Sequence, residues 1–278
     1  MPQVYGEVAY NDLKVKVGHF YTILGYEVVP STGNFFYSHA YTMQYGEPFT
    51  HTGALGAWAP NKCITFYGGV VRGWDNWEDP FDSHESFLGG VTFTSPDANR
   101  SLAFAVETGQ EPIFTNGANT GNRNRYVQSI VYNHKLNDCW RYVVQSDYGH
   151  QDDAIALGAG RQDAEWYGIN TYLFRSISDC YSWGIRSEWF RDDDGFRVAP
   201  VGDFQGSNTA SAGGFAGDFF EITVGVNYKP NANIVIRPEV RYDWYDGAAS
   251  GVNGRPLPFD TGTSDHQMTF ATDVIFTF

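Results

Sequence analysis

Apolar and polar residues alternate with a period of two along much of this chain. In residues 220–228, Ile222 and Val224 fall on one face of an extended chain, and Glu221 and Thr223 fall on the other. About thirteen segments of this kind can be counted, beginning at residues 4–10 and ending at residues 266–278. Alternation of this kind predicts an all-β fold in which each strand has one apolar face.

Short and long connections alternate between these segments. The short ones are polar turns at residues 11–12, 60–62, 96–99, 136–138, 178–179 and 230–233. The long ones span residues 24–52, 75–85, 109–122, 149–163, 191–217 and 246–265. Outer-membrane barrels have short periplasmic turns and longer external loops, whereas a soluble sandwich has no reason for this order. We therefore predict one domain over residues 1–278, a transmembrane antiparallel up-and-down β-barrel.

Composition supports this class of fold. No stretch of about 18 apolar residues occurs, so no helical membrane span is expected. Aromatic residues make up 17% of the chain and recur at the segment ends, as in proteins that meet a membrane interface. The net charge of −14 argues against nucleic acid as a partner. Three cysteines, an odd number, exclude a complete disulfide framework and are expected to be apolar fillers.

The N-terminal residues enter a strand directly, without the charged start, apolar core and cleavage site of an export signal. Outer-membrane proteins need such a signal, and single-chain bacterial barrels normally have an even number of strands. We therefore expect an N-terminal part to be missing and about 14–16 strands in the full-length protein. A barrel of that width has a water-filled lumen rather than a packed interior.

Four segments resemble a known family. They are residues 17–27 (VGHFYTILGYE), 34–38 (NFFYS), 46–53 (GEPFTHTG) and 73–76 (GWDN). These segments are similar to the OmpL-like outer-membrane β-barrel porins, closely over the first quarter of the chain and only as a strand pattern beyond it. The resemblance implies a porin in the outer membrane of a Gram-negative-type envelope. The ending at Phe278 also resembles the terminal strand that the barrel-assembly machinery recognises.

The connection over residues 24–52 is too long for an ordinary turn, and long loops in compact structures are usually functional or disordered. Its Tyr and Phe content argues against disorder. We expect it to fold into the lumen and to place four residues near a constriction: Glu27, Tyr41, Tyr45 and Glu47. The alternative is an aromatic external cap that packs on neighbouring loops.

Charged residues on the polar faces of the strands are expected to line the channel. They are Arg141, Asp147, Arg186, Glu188, Glu221, Arg237, Glu239, Arg241 and Asp243. Mixed charges across a lumen favour small polar solutes over apolar ones. The alternative for each residue is an ion pair within the wall.

Two acidic loop clusters could attract a hard cation such as Ca²⁺. They are Asp75, Glu78, Asp79 and Asp82 in one loop and Asp192, Asp193 and Asp194 in another. The Asp192–Asp194 cluster lacks the spaced ligands and turn glycine of a calcium loop, so solvated carboxylates are favoured. Catalytic motifs are absent and the histidines are scattered along the chain, so no enzyme activity, metal site or cofactor is expected.

Two functions from different classes remain open. The first is a channel for passive diffusion of ions and small polar solutes, with outer-membrane lipid and the barrel-assembly machinery as partners. The second is a non-conducting surface barrel whose long loops bind a partner or carbohydrate. A soluble carbohydrate-binding protein is disfavoured, because a soluble protein rarely exposes a continuous apolar belt.

Overall fold

The computed structural model describes residues 3–77, 84–115, 118–157, 160–198, 214–248 and 256–278. Its strands are β1 (Val4–Tyr10), β2 (Leu13–Tyr21), β3 (Thr50–Asn61), β4 (Ile64–Val71), β5 (Ser86–Thr94), β6 (Arg100–Thr115), β7 (Ala118–Lys135), β8 (Trp140–Leu157), β9 (Gly160–Ser176), β10 (Tyr181–Asp192), β11 (Gly217–Asn231), β12 (Ile234–Gly247) and β13 (His266–Phe276). The helical segments are single turns at Ser31–Gly33, Thr42–Gly46 and Asp260–Gly262. Among the described residues, no helix has the length and apolar character of a membrane span.

All thirteen strands belong to one sheet, in which each strand pairs with its neighbours in sequence. Every pairing is antiparallel, from β1 with β2 to β12 with β13. This order satisfies the backbone N–H and C=O groups within the sheet, as the hydrocarbon core of a bilayer requires. β1 and β13 are the two edges, and no pairing joins them within the described ranges.

The predicted strand count and the up-and-down order are confirmed, and so are the six short turns to within a few residues. Two of the predicted long connections are wrong. Only residues 116–117 separate β6 from β7, and only residues 158–159 separate β8 from β9. These four strands contain 16 to 18 residues each, whereas about 9–11 suffice to cross a bilayer. Beyond the bilayer both faces of a strand meet water, so the ladder continues after the apolar alternation has stopped.

The predicted alternation places apolar side chains on the outer face of the sheet. On β11, Ile222, Val224 and Val226 are 42%, 47% and 39% exposed, whereas Glu221 and Thr223 are fully buried on the inner face. An apolar surface that is this continuous suits lipid and not water. The polar face of the same strands therefore points to the interior.

Aromatic side chains form two rows on this outer face. Near the short turns, Trp140 lies 5.6 Å from Trp183, and Tyr181 stacks on Tyr228 at 4.7 Å, measured between ring centroids. The second row, called here the external aromatic row, crosses β8 to β12 towards the other end and consists of Tyr148, Tyr167, Trp189, Phe220 and Trp244. Two such rows mark the two membrane interfaces of an outer-membrane barrel.

The acidic cluster after β10 is structural in part. Asp192 is fully buried, and its carboxylate accepts the backbone N–H groups of Phe196, Arg197 and Val198 at 2.7–2.9 Å. The expectation of a solvated carboxylate is therefore wrong for Asp192, because these three bonds fold the start of the β10–β11 connection. In the other cluster, three residues lie outside the described residues: Glu78, Asp79 and Asp82. The three cysteines, Cys63, Cys139 and Cys180, are free.

The lipid-facing assignment predicts the effect of a charge on the outer face. We expect Val224→Arg to lower the free energy of unfolding by about 2–4 kcal/mol, because it places a guanidinium in the hydrocarbon core. Urea denaturation in lipid vesicles measures this value. Ile177→Arg, just beyond the end of β9 at the interface, is the control and should cost about 0–1 kcal/mol. Equal costs for the two variants would contradict the assignment.

Candidate functional site

The connection between β2 and β3, residues 22–49, lies against the inner face of the sheet and is called here the inserted loop. Its two ends are joined by a hydrogen bond from the Thr22 N–H to the Phe49 carbonyl at 3.0 Å. The Asp75 carboxylate accepts the N–H groups of Phe49 and Thr50 at 2.7 and 2.8 Å and so holds the loop's exit. From this base the loop crosses the interior from β3 to β12.

Aromatic packing accounts for much of the loop's contact with the wall. Phe36 packs in a buried cluster with Tyr172 and Phe174 of β9. Tyr41 packs on Phe219 of β11 with ring centroids 5.2 Å apart. The aromatic residues that argued against disorder therefore pack the loop against the wall.

An ion network at Arg186 fastens the middle of the loop. The guanidinium of Arg186 donates to Glu27 of the loop at 2.7 Å and to Glu221 of β11 at 2.5 Å. It also donates to the Ser38 carbonyl at 2.8 Å. Burial alone would raise the pKa of Glu27, but Arg186 and His39 outweigh it and lower that pKa to about 2. Glu27 therefore keeps its charge at pH values at which an exposed glutamate is protonated.

Wall side chains bind the main chain of the loop. Glu188 accepts the N–H groups of Tyr41 and Thr42 at 2.5 and 2.7 Å, and Glu239 accepts those of Tyr37 and Ser38 at 2.8 and 3.0 Å. The reciprocal case is Arg237, whose guanidinium donates to three loop carbonyls at 2.7–3.1 Å, those of Ser31, Asn34 and Phe36. The same guanidinium pairs with Asp273 of β13. These contacts satisfy loop backbone groups that have few partners within the loop.

A second anchor holds the two ends of the loop near β8. The Gln145 amide donates to both Glu47 and Asp147, and its carbonyl accepts the Tyr26 N–H at 2.9 Å. Gly25 lies beside this group at φ +81°, and a Cβ there would come within 2.1 Å of the Glu47 carboxylate. Burial and the neighbouring Asp147 carboxylate raise the pKa of Glu47 well above its ordinary value. Glu47 is therefore protonated under conditions in which an exposed glutamate is ionised.

A cavity of about 300 Å³ remains between the loop and the wall. Its lining includes Tyr41, Tyr45, Arg241, Phe259 and Gln267. The Arg241 guanidinium donates to Asp243 at 2.7 Å and to the His39 carbonyl at 2.5 Å. A guanidinium, held by Asp243 behind it, therefore lies at one side of this space beside phenol and amide groups.

The thirteen residues singled out from the sequence all lie on the inserted loop or on the inner face. Five of the nine wall residues hydrogen-bond to the loop, namely Arg186, Glu188, Arg237, Glu239 and Arg241. Tyr41, Tyr45 and Arg241 line the cavity. Arg141 lies apart, with its guanidinium 4.8 Å from the Phe174 ring centroid. Sequence reasoning missed neutral anchors. Ser129 is one, since it donates to Asp147 at 2.7 Å and accepts the Gly25 N–H at 3.2 Å. Its alternation with the outward residues of β7 is the sequence signal for an inward position, and an uncharged side chain gives no further signal of an anchoring role.

Metal-ligating side chains come together elsewhere. In the described part of the chain, one group of three such residues is close enough to share an ion: His150, Asp152 and Asp163, on the outer face of β8 and β9.

The wall is apolar towards lipid and charged inside, and its longest loop folds back against those charges. Outer-membrane channels are built in this way. The family model described as putative beta-barrel porin-2, OmpL-like, matches residues 1–278. The chain belongs to this family and is a porin of the bacterial outer membrane, as the four sequence segments implied. No curated protein matches the chain.

Solved porin structures share the fold. The trimer form of OmpT from Vibrio cholerae has a TM-score of 0.63 and 11% identity, covering 98% of this chain and 80% of that one. DcaP of Acinetobacter baumannii has a TM-score of 0.61 and 10% identity, with 87% and 68% covered. OprD of Pseudomonas aeruginosa has a TM-score of 0.52 and 13% identity, with 98% and 69% covered. At these identities the likeness establishes the fold alone.

Arg186 is the anchor whose loss should matter most. We expect Arg186→Gln to lower the free energy of unfolding by about 3–5 kcal/mol, because it removes the buried guanidinium that Glu27 and Glu221 share. It should also make the inserted loop a site of limited proteolysis. Arg175→Gln is the matched control, since Arg175 lies on β9 over the outward-facing Trp140 ring at 5.2 Å; its cost should be about 0.5–1 kcal/mol. An intact, protease-resistant loop in Arg186→Gln would show that this network is not the anchor.

Proposed function

We propose that this porin admits ions and small polar solutes by passive diffusion through a passage that the inserted loop narrows. The observation that carries the proposal is the set of buried contacts from Arg186, Glu188, Arg237 and Glu239 to the loop. Fastened in this way, the loop reduces the cross-section open to solute. The polar inner residues hold the loop and contact solutes, and no chemical step is assigned to them.

The cavity beside Tyr41 and Arg241 is the part of the interior best suited to solute contact. Its guanidinium, amide and phenol groups can replace the hydrogen bonds that a small polar solute makes with water. An apolar solute gains nothing from these groups. The net charge of −14 adds a mild preference for cations at the mouths, limited by screening over about 8 Å in physiological salt.

The last strand supports a proposal about assembly. On β13, Phe270, Val274 and Phe276 are 72%, 47% and 65% exposed and share one face. An apolar, outward-facing strand followed by Phe278 is the form of terminal segment that the barrel-assembly machinery would recognise. Deletion of residues 274–278 should therefore reduce the amount of assembled protein in the outer membrane.

Removing the inserted loop tests the channel. Single-channel conductance of the full-length, refolded protein in a planar bilayer should show discrete steps, and replacing residues 26–46 with a short Gly-Ser linker should raise the step size severalfold. Tyr37→Ser is the control, because this side chain is half exposed and only its backbone N–H is used as an anchor. Its conductance should match the wild type. Unchanged conductance without the loop would contradict the constriction, and silence from folded, inserted protein would contradict the channel.

The raised pKa of Glu47 predicts that the conductance depends on pH. Because its pKa is raised in the folded protein, the bound proton stabilises the inserted loop below the ordinary pKa of 4.5, and this stabilisation is lost as the pH rises towards the raised value. We expect conductance to increase, or to become less steady, as the pH rises above the ordinary glutamate pKa, since a buried second charge beside Asp147 disfavours insertion.

The matched variant is Glu47→Gln, which keeps an acceptor for Gln145 and cannot ionise. Its conductance should not vary over the same pH range. Glu7→Gln, on exposed β1, should behave as the wild type does. A pH response that persists in Glu47→Gln would assign the effect to another group.

A further inference from the structure

The outer face carries a polar cluster immediately beyond the external aromatic row. On β8, His150 follows Tyr148 by two residues and so lies on the same outward face. In the register, Tyr148 pairs with Tyr167. His150, two residues further along β8 towards the external end, pairs with Glu165. Since the aromatic row marks the membrane interface, His150 lies at the level of the lipid headgroups.

A bulge in β8 brings two carboxylates to this histidine. Gln151 pairs with Ala164 and Ile155 with Gln162, so residues 152–154 of β8 face the single residue Asp163 of β9. Asp153 adopts φ +47° at the centre of the bulge, and its N–H donates to the Asp163 carboxylate at 2.8 Å. Bulges re-aim side chains in this way. The result is that ligand atoms of His150, Asp152 and Asp163 all lie within 4.8 Å of one another.

Among the described residues, no lysine or arginine side chain forms an ion pair with His150, Asp152 or Asp163. Arg123 pairs with the Asp153 carboxylate at 2.7 Å, and Asp153 is not one of the three clustered residues. Arg161 donates to the backbone carbonyls of Asp153 and Ala154. Two carboxylates and an imidazole therefore converge, while the neighbouring guanidinium groups are engaged by other atoms.

The imidazole itself points to a bound cation. Its Nε2 lies 2.9 Å from Asp152, whereas its Nδ1 is buried without a hydrogen bond, 3.5 Å from Glu165. With the proton on Nε2, the Nδ1 lone pair faces a carboxylate, which is unfavourable. With a cation on Nε2, the ring proton would lie on Nδ1 instead. Nδ1 would then donate a hydrogen bond to the Glu165 carboxylate. Glu165 is already oriented by the Tyr148 hydroxyl at 3.0 Å.

We infer that His150, Asp152 and Asp163 form a divalent-cation site on the outer surface of the porin, with Glu165 as the positioning residue for His150. Histidine ligands commonly have a carboxylate on the second ring nitrogen, and this carboxylate fixes the tautomer. A mixed imidazole and carboxylate set favours Zn²⁺ over Ca²⁺ or Mg²⁺. Three protein ligands leave the fourth tetrahedral position to water.

Binding of Zn²⁺ alone tests the site. The full-length protein, refolded in detergent, is titrated against a chromophoric chelator at about pH 7.5, because protons compete with a metal ion for its ligands. We expect about one equivalent of Zn²⁺ per chain. His150→Gln should abolish this binding, and so should Asp163→Asn, which still accepts the Asp153 N–H and so preserves the bulge. Glu165→Gln should weaken binding by about 10–100-fold.

His266→Gln is the matched control, because it removes another exposed His–Asp pair, with Asp265 at 2.6 Å, and should leave binding unchanged. No binding by the wild type, or equal binding by His150→Gln, would overturn the site. Ca²⁺ binding as tight as that of Zn²⁺ would overturn the proposed preference. Conductance of His150→Gln should equal that of the wild type, so the outcome does not depend on the proposed channel.

Discussion

The hydrocarbon core of a bilayer offers no water to a polypeptide backbone, and this constraint shapes the whole molecule. It requires the unbroken antiparallel ladder from β1 to β13. The period of two along each strand then divides the side chains between lipid and interior, as Val224 and Glu221 show on β11. Charged side chains cannot face lipid and therefore lie on the inner face of the sheet. There they need partners for their hydrogen bonds.

Those partners come largely from the inserted loop. Its own regular structure is limited to the single turns at Ser31–Gly33 and Thr42–Gly46, so most of its backbone groups must find acceptors and donors elsewhere. Glu188, Glu239 and Arg237 supply them. Because each of these charges is buried, it would be costly without the loop, and the loop would be unanchored without it. Wall and loop therefore stabilise each other.

The sequence alone predicted the strand number, the faces of the strands and the short turns, because hydropathy alternation and turn residues are local signals. It failed at β6–β9, where the strands leave the bilayer and the apolar face is no longer needed. For the interior, it predicted which residues point inward but not their pairing, because Arg186 and Glu27 are joined only through tertiary structure. The histidine cluster was missed for a similar reason, since His150 and Asp163 meet across a bulge that no spacing along the chain reveals.

The way in which the loop is bound determines which positions tolerate substitution. Glu188 and Glu239 accept hydrogen bonds from main-chain N–H groups, which every residue except proline provides. Substitutions at exposed loop positions such as Tyr37 therefore leave these hydrogen bonds in place. Wall positions have no such latitude, because there the side chain itself makes the bond. The structure therefore sets a strict requirement on side-chain identity at the anchoring wall positions and a looser one at the exposed positions of the loop.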